Sequence, residues 1–215
     1  MKIGIAGTGR MGTAIGQRLM GEGHELIVWN RTKDKTKLLV DAGAKTAASP
    51  AALAKAADII ITILTDAAAI DATYRGKDGL LSGDVAGKLF IEMSTVRPET
   101  EQKLAGDIRA KGATMVEAPV GGTTAPAKEG KLIGLVGGDE KDVARALPIL
   151  EKLCRRGSSM SGRSERARAS SWPSTCRSSS IGRRSARHCH SAANTASTPP
   201  ASPISSPILP AAPMC

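Results

Sequence analysis

The stretch KIGIAGTGRMGTAIGQRLM, Lys2 to Met20, opens as an apolar run, breaks at a cluster of glycines and continues as an amphipathic pattern. The run reads as a buried strand over 2–7 and the continuation as a helix over 11–21. Between them Gly7, Gly9 and Gly12 stand in G-x-G-x-x-G spacing. Each glycine answers a separate physical demand. Gly7 makes a tight turn, Gly9 lets the backbone approach a diphosphate, and Gly12 lets the helix pack close to the strand. The unpaired N–H groups and positive dipole of the helix then attract the anion. A glycine-rich turn without a ligand is the plainer alternative. Its place between a first strand and a first helix favours a dinucleotide site.

Outward from that loop, short apolar runs alternate with amphipathic stretches. ELIVW (25–29), DIIITIL (58–64), KLFIEM (88–93), TMVEA (114–118) and LIGLVG (132–137) read as buried strands. Helical patterns fill 33–42, 50–56, 67–74, 98–111 and 139–153. Ser49 before Pro50 supplies an N-cap and a first helical residue. Lys111-Gly112 supplies a glycine stop for the helix that begins near Pro98. Strand alternating with helix predicts an α/β fold with a doubly wound parallel sheet over residues 1–154.

The residues after the second strand bear on the choice of dinucleotide. An NAD site carries Asp or Glu there to bond the ribose 2′-hydroxyl. This chain has Asn30, followed by Arg31, Thr32 and Lys33. A carboxylate would repel a 2′-phosphate, whereas a guanidinium and a hydroxyl would hold it. The expected cofactor is therefore NADP, ahead of NAD. The plainer alternative makes Arg31 and Lys33 solvated charges at a helix start.

The net charge of +10 invites a nucleic-acid or membrane partner, but its distribution does not support one for the body. Residues 1–154 carry 21 Lys+Arg against 19 Asp+Glu, and residues 155–215 carry nine Arg against one Glu. The body is nearly neutral and the tail holds the excess, so nucleic acid is not the expected partner. No apolar run approaches the roughly 18 to 20 residues of a membrane span, and no signal peptide is recognisable. Only one of the four cysteines, Cys154, precedes the tail, which fits a reducing cytoplasm rather than a disulfide framework. An oligomeric state cannot be read from these residues.

Several further motifs, in order and at consistent spacing, resemble one family, the β-hydroxyacid dehydrogenases. These include 3-hydroxyisobutyrate dehydrogenase, tartronate semialdehyde reductase and the glyoxylate/succinic semialdehyde reductases. Met11 beside Gly12 matches the family's G-x-G-x-M-G loop. ILTD, Ile63 to Asp66, resembles its Leu-Pro-Asp turn, with Thr65 where proline is common. MST at 93–95 resembles its strand-end segment, and EAPVGGTTAPAKEGKL, Glu117 to Leu132, its substrate loop. The likeness covers residues 1 to about 155. It implies cofactor contacts from Gly7, Thr8, Gly9, Arg10, Met11 and Gly12 in the first loop. Further contacts are implied from Asn30, Arg31 and Thr32, from Leu64 and Thr65, and from Thr95 on the nicotinamide side. Gly121, Gly122 and Thr123 would bind substrate. Many members have serine where this chain has Gly121, so backbone N–H groups, or the hydroxyls of Thr123 or Thr124, would have to hold the substrate carboxylate. The implied reaction is hydride transfer between nicotinamide and a short β-hydroxy acid or its semialdehyde or keto partner.

The resemblance also implies a second, helical half carrying a Gly-x-x-x-Lys-x-x-x-Asn pattern. Its lysine would protonate the alkoxide that hydride transfer leaves behind. That lysine is expected some 15 to 20 residues beyond Leu153, but no lysine follows Lys152. No catalytic residue can therefore be assigned. Residues 155–215 are built largely of Ser, Arg, Ala and Pro and hold seven of the chain's 12 prolines, a composition that predicts disorder. Three readings of this tail compete. One is a basic arm for acidic partners. Another is a metal site at His188, Cys189 and His190, whose adjacent ligands make a poor tetrahedral set, so no metal is expected. The third is an out-of-frame translation beginning near Arg156. The abruptness of the change favours the third.

Overall fold

The computed structural model describes residues 1–155 and 159–161. Of the tail expected to be disordered, residues 155 and 159–161 are described and the last three form a strand; the rest of it, with the metal ligands at 188–190, lies outside the described residues. Strands β1 (Lys2–Ala6), β2 (Glu25–Trp29), β3 (Lys45–Thr46), β4 (Ile59–Thr62), β5 (Leu89–Glu92) and β6 (Thr114–Glu117) lie in the order β3-β2-β1-β4-β5-β6, all parallel. The order reverses direction at β1, which opens a crevice at the carboxyl ends of the strands beside β1. The sheet then continues through β8 (Ile133–Gly137), which runs antiparallel to β6 and to β7 (Val120–Gly121). A short β9 (Ser159–Ser161) pairs parallel with β8. The sheet is thus parallel through its first six strands and mixed at one edge. The chain between Val120 and Ile133 is too short for a full crossover and folds back on itself.

Among the described residues seven helices flank the sheet: α1 (Arg10–Gly21), α2 (Lys37–Asp41), α3 (Pro50–Ala56), α4 (Ala67–Arg75), α5 (Pro98–Ala110), α6 (Thr124–Lys128) and α7 (Glu140–Leu153). A 3₁₀ turn, Lys33–Thr36, precedes α2. Side chains alternate along each strand. Ile3 and Ile5, Ile59 and Ile61, Leu89 and Ile91 pack with α1, α2, α6 and α7, whereas Ala6, Ile60, Phe90 and Met115 pack with α3, α4 and α5. Two apolar layers result, built almost wholly from aliphatic residues. Gly4 has no side chain because Ala57 and Leu53 of the α3 region press against its position.

Caps set the helix ends as the sequence predicts. Ser49 Oγ accepts from the Ala52 N–H at 3.1 Å with Pro50 in the first turn. Gly112, at φ +72°, ends α5 while its N–H donates to the Arg109 carbonyl at 2.9 Å. Among the described residues no helix is long and apolar enough to cross a membrane.

Candidate functional site

The three glycines of the first loop do distinct work. Gly7 sits at φ +101°, and a side chain there would collide with the Ile63 carbonyl at the end of β4. A side chain on Gly12 would strike the Gly7 carbonyl, so α1 starts as close to β1 as backbone allows. Gly9 differs from both, since a Cβ on it would meet nothing within 4 Å. Its open face lets another molecule approach the backbone there. Gly9 is the N-cap of α1, with no side-chain cap and no acidic residue in the first turn, and Arg10 is the first helical residue. The leading N–H groups of a helix have no intrahelical partner, and a cation at that end is disfavoured unless an anion accompanies it. Thr8 Oγ1 is buried and unpaired among the described residues. Open glycine, unneutralised helix start and arginine together fit a diphosphate.

Asn30 ties this loop to the end of β2. Its Oδ1 accepts the Thr8 N–H at 3.1 Å and its Nδ2 donates to the Thr32 carbonyl at 2.9 Å. A cleft of ≈ 480 Å³ runs from Gly7 and Gly9 past Asn30, Arg31 and Thr32, with Leu64 and Thr65 on its opposite wall. Trp29 and Lys35 also line it. Lys35 of the 3₁₀ turn faces the cleft and Lys33 does not; Lys77, after α4, lines it too. Asp66 stands at the rim and caps α4 by accepting the Ala69 N–H at 2.8 Å. That bond above all, then the Thr65 hydroxyl and the nearby charge of Arg31, holds the Asp66 carboxyl below the usual carboxylate range.

A second cleft, of ≈ 400 Å³, opens on the other side of the loop between α1 and α6. Arg10, Lys35 and Lys128 line it beside Thr8 and Gly9. Read from sequence, Lys128 is a solvated charge; the structure keeps it exposed but sets it across from the phosphate loop. Met11, Gly12, Thr95, Gly121, Gly122 and Thr123 line neither cleft. Gly121 ends β7, and Gly122 and Thr123 form the bend that leads into α6; all three are exposed, with Gly122 at φ +134°.

Beneath the site lies a polar network that sequence reading missed. Glu92, the last residue of β5, is fully buried, and its Oε2 accepts from the hydroxyls of Thr62 at 2.6 Å and Tyr74 at 3.1 Å. Its Oε1 accepts the Ser94 N–H at 2.9 Å, and Ser94 Oγ accepts the Leu64 N–H at 2.8 Å. Burial pushes the Glu92 carboxyl up, against the lowering effect of these donors. Burial and the neighbouring Glu92 charge push the Tyr74 hydroxyl well above its ordinary value.

Residues 2–162 match the family described as the NAD binding domain of 6-phosphogluconate dehydrogenase. A 3-sulfolactaldehyde reductase from Escherichia coli is 40% identical over 148 residues, which cover 69% of this chain and 50% of that protein. Glyoxylate/succinic semialdehyde reductase 1 from Arabidopsis thaliana is 38% identical over 156 residues, 73% of this chain and 54% of the relative. The chain thus spans about half the length of the curated relatives it matches. Among solved structures, one titled Psf3 in complex with NADP+ and 2-OPP superposes with a TM-score of 0.70 at 29% identity. It covers 77% of this chain and 60% of its own.

Proposed function

The chain belongs to the family of NAD-binding domains typified by 6-phosphogluconate dehydrogenase, the dinucleotide-binding half of the β-hydroxyacid dehydrogenases, and from that premise we propose that it binds NADP(H) in preference to NAD(H). One observation carries the choice. At the end of β2, Asn30 occupies the place of the ribose-binding acid, and Arg31, Thr32 and Lys35 line the same cleft. A 2′-phosphate there would meet two cations and a hydroxyl. The diphosphate would lie over Gly9 at the start of α1, and the nicotinamide half over the ends of β4 and β5, toward Thr65 and Thr95. Thr8, Arg10 and Met11 would flank the diphosphate, and Gly7 and Gly12 would keep its cradle shallow.

The associated chemistry is hydride transfer between the nicotinamide and a short β-hydroxy acid or its semialdehyde or keto partner, with Gly121, Gly122 and Thr123 next to the substrate. The names of the relatives from E. coli and A. thaliana, both reductases of short aldehydes, support that substrate class. The 215-residue chain has no lysine after Lys152 to serve as proton donor. We therefore propose cofactor binding without measurable turnover. Energy transfer from Trp29, half-buried in the wall of the cleft, to bound NADPH or NADH gives the test. Tighter binding of NADPH, with the preference largely removed by Arg31→Ala, is the expected result; equal titration curves for the two cofactors would overturn the NADP reading.

A further inference from the structure

A buried carboxylate costs several kcal/mol of desolvation unless its lone pairs are filled. Glu92 fills them: three donors from three segments converge on it, from Thr62 on β4, Tyr74 on α4 and Ser94 after β5. Thr62 Oγ1 and Tyr74 Oη also lie 2.8 Å apart, so the two hydroxyls flank Oε2 side by side. The packing alone does not call for such a network, because Phe90 and Ile60 on the same sheet face fill the same layer with apolar side chains. The direction of the network is informative. From Oε1 it runs outward through the Ser94 N–H, then from Ser94 Oγ to the Leu64 N–H, and Leu64 lies in the wall of the dinucleotide cleft.

Topology says which half of the dinucleotide would feel it. β2 and Asn30 lie on one side of β1, and β4 and β5 on the other. A dinucleotide with its adenosine over β2 has its nicotinamide half over β4 and β5. The segments that follow those two strands, Ile63–Thr65 and Met93–Thr95, are the two that Ser94 ties together.

We propose that Glu92 is a positioning residue for the nicotinamide half of the cofactor. Through Ser94 it fixes the backbone at Leu64 and the level of Thr95, while leaving the adenosine half untouched. The inference rests on the cofactor reading above, and a ligand lacking nicotinamide separates the two. In the full-length chain, affinities for NADPH and for adenosine 2′,5′-bisphosphate are compared in wild type, Ser94→Ala and Glu92→Gln. Ser94→Ala removes the acceptor for Leu64 and the Ser94 hydroxyl's bond to Glu92 but keeps the donors from the Ser94 N–H, Thr62 and Tyr74, so it serves if Glu92→Gln does not fold. Loss of one hydrogen bond's net worth predicts NADPH binding weakened about 3- to 10-fold in each variant, with the bisphosphate changed less than about twofold. Equal weakening of both ligands would show a merely structural role, and no change in either would show that the network does not reach the site. Either result overturns the proposal. Failure of wild type to bind either ligand would instead overturn the cofactor reading, and this inference with it.

Discussion

The side chain of Asn30 holds the amide of Thr8 at 3.1 Å, so the residue that would face the ribose is also the strut that shapes the phosphate loop. An aspartate could accept the same N–H, though it would lose the bond to the exposed Thr32 carbonyl, and it would place a negative charge where a 2′-phosphate is expected. Asn30→Asp should therefore fold with a modest loss of stability and exchange cofactor preference. NADPH should weaken and NADH should gain, with the ratio of their dissociation constants moving on the order of tenfold or more, as for loss of a charged hydrogen bond. Calorimetric titration of both cofactors against the variant checks this. Unchanged preference would place the 2′-phosphate away from β2.

Lys33 and Lys35 are indistinguishable as sequence, but only Lys35 lines the cleft. Lys35→Ala should weaken NADPH by about 1 kcal/mol, a modest effect because the side chain is solvated. Lys33→Ala should leave NADPH unchanged. Salt should reduce the difference between the variants, since exposed charges are screened. A larger effect from Lys33 would refute the assignment of the cleft-facing lysine.

Much of this was legible beforehand because it depends on local patterning. Five of the six parallel strands read as short apolar runs, and their helices announce themselves through caps such as Ser49-Pro50 and stops such as Gly112. The exceptions have physical causes. β3 and β7 contribute two residues each, too few to show a period. The reversal of β8 depends on the compact turn after α6, where Gly130 takes φ +69°, not on the apolar pattern of β8 itself. Lys35 was missed because a 3₁₀ turn rotates each residue by a different angle from an α-helix. Glu92 was missed because one acidic residue at the end of KLFIEM looks like a strand emerging into solvent. Its partners Thr62, Tyr74 and Ser94 come from elements up to 30 residues away.

The glycines of the loop separate folding from binding. Gly9→Ala adds a methyl group where nothing lies within 4 Å, so stability should hold while the methyl occupies the diphosphate's approach. Gly12→Ala drives a methyl into the Gly7 carbonyl and should destabilise the fold by a few kcal/mol, as overpacking against rigid backbone does. Urea midpoints and NADPH affinity measured on both variants test the distinction. Normal cofactor binding by Gly9→Ala would mean that the diphosphate does not cross this loop.

Glu92 gives stability a pH dependence of a definite sign. Its carboxyl is raised in the folded chain by burial, so between the ordinary carboxylate value of about 4.3 and the raised value the folded state binds more protons than the unfolded. The contribution is fully present below the unfolded value and is lost as pH rises through the folded one. Glu92→Gln removes the titration. The stability of wild type relative to Glu92→Gln should therefore fall as pH increases across that window, read as the difference between their urea midpoints. A parallel pair of curves would show that Glu92 titrates as an ordinary carboxyl.

Catalysis is where presence and absence in the chain diverge most. The proposed cofactor site has the open face of Gly9, the Asn30 strut, the cationic cleft and the Leu64–Ser94 tie. A hydride delivered to a carbonyl leaves an alkoxide that must be protonated or stabilised, and a general acid or base contributes typically about 10² to 10⁴ in rate. Substrate positioning contributes several orders of magnitude more, and here Gly121 to Thr123 are exposed and line neither cleft. Purified protein incubated with NADPH and succinic semialdehyde, glyoxylate or tartronate semialdehyde should therefore show NADPH bound but not consumed. Lys128 of α6 lines the cleft beside Thr8 and Gly9, whereas Lys131 is engaged with Glu129 at 2.8 Å. Steady NADPH oxidation abolished by Lys128→Ala would identify Lys128 as the proton donor. Steady oxidation unaffected by either Lys128→Ala or Lys131→Ala would show that protonation comes from another group or from solvent, and would overturn the expectation that binding occurs without turnover.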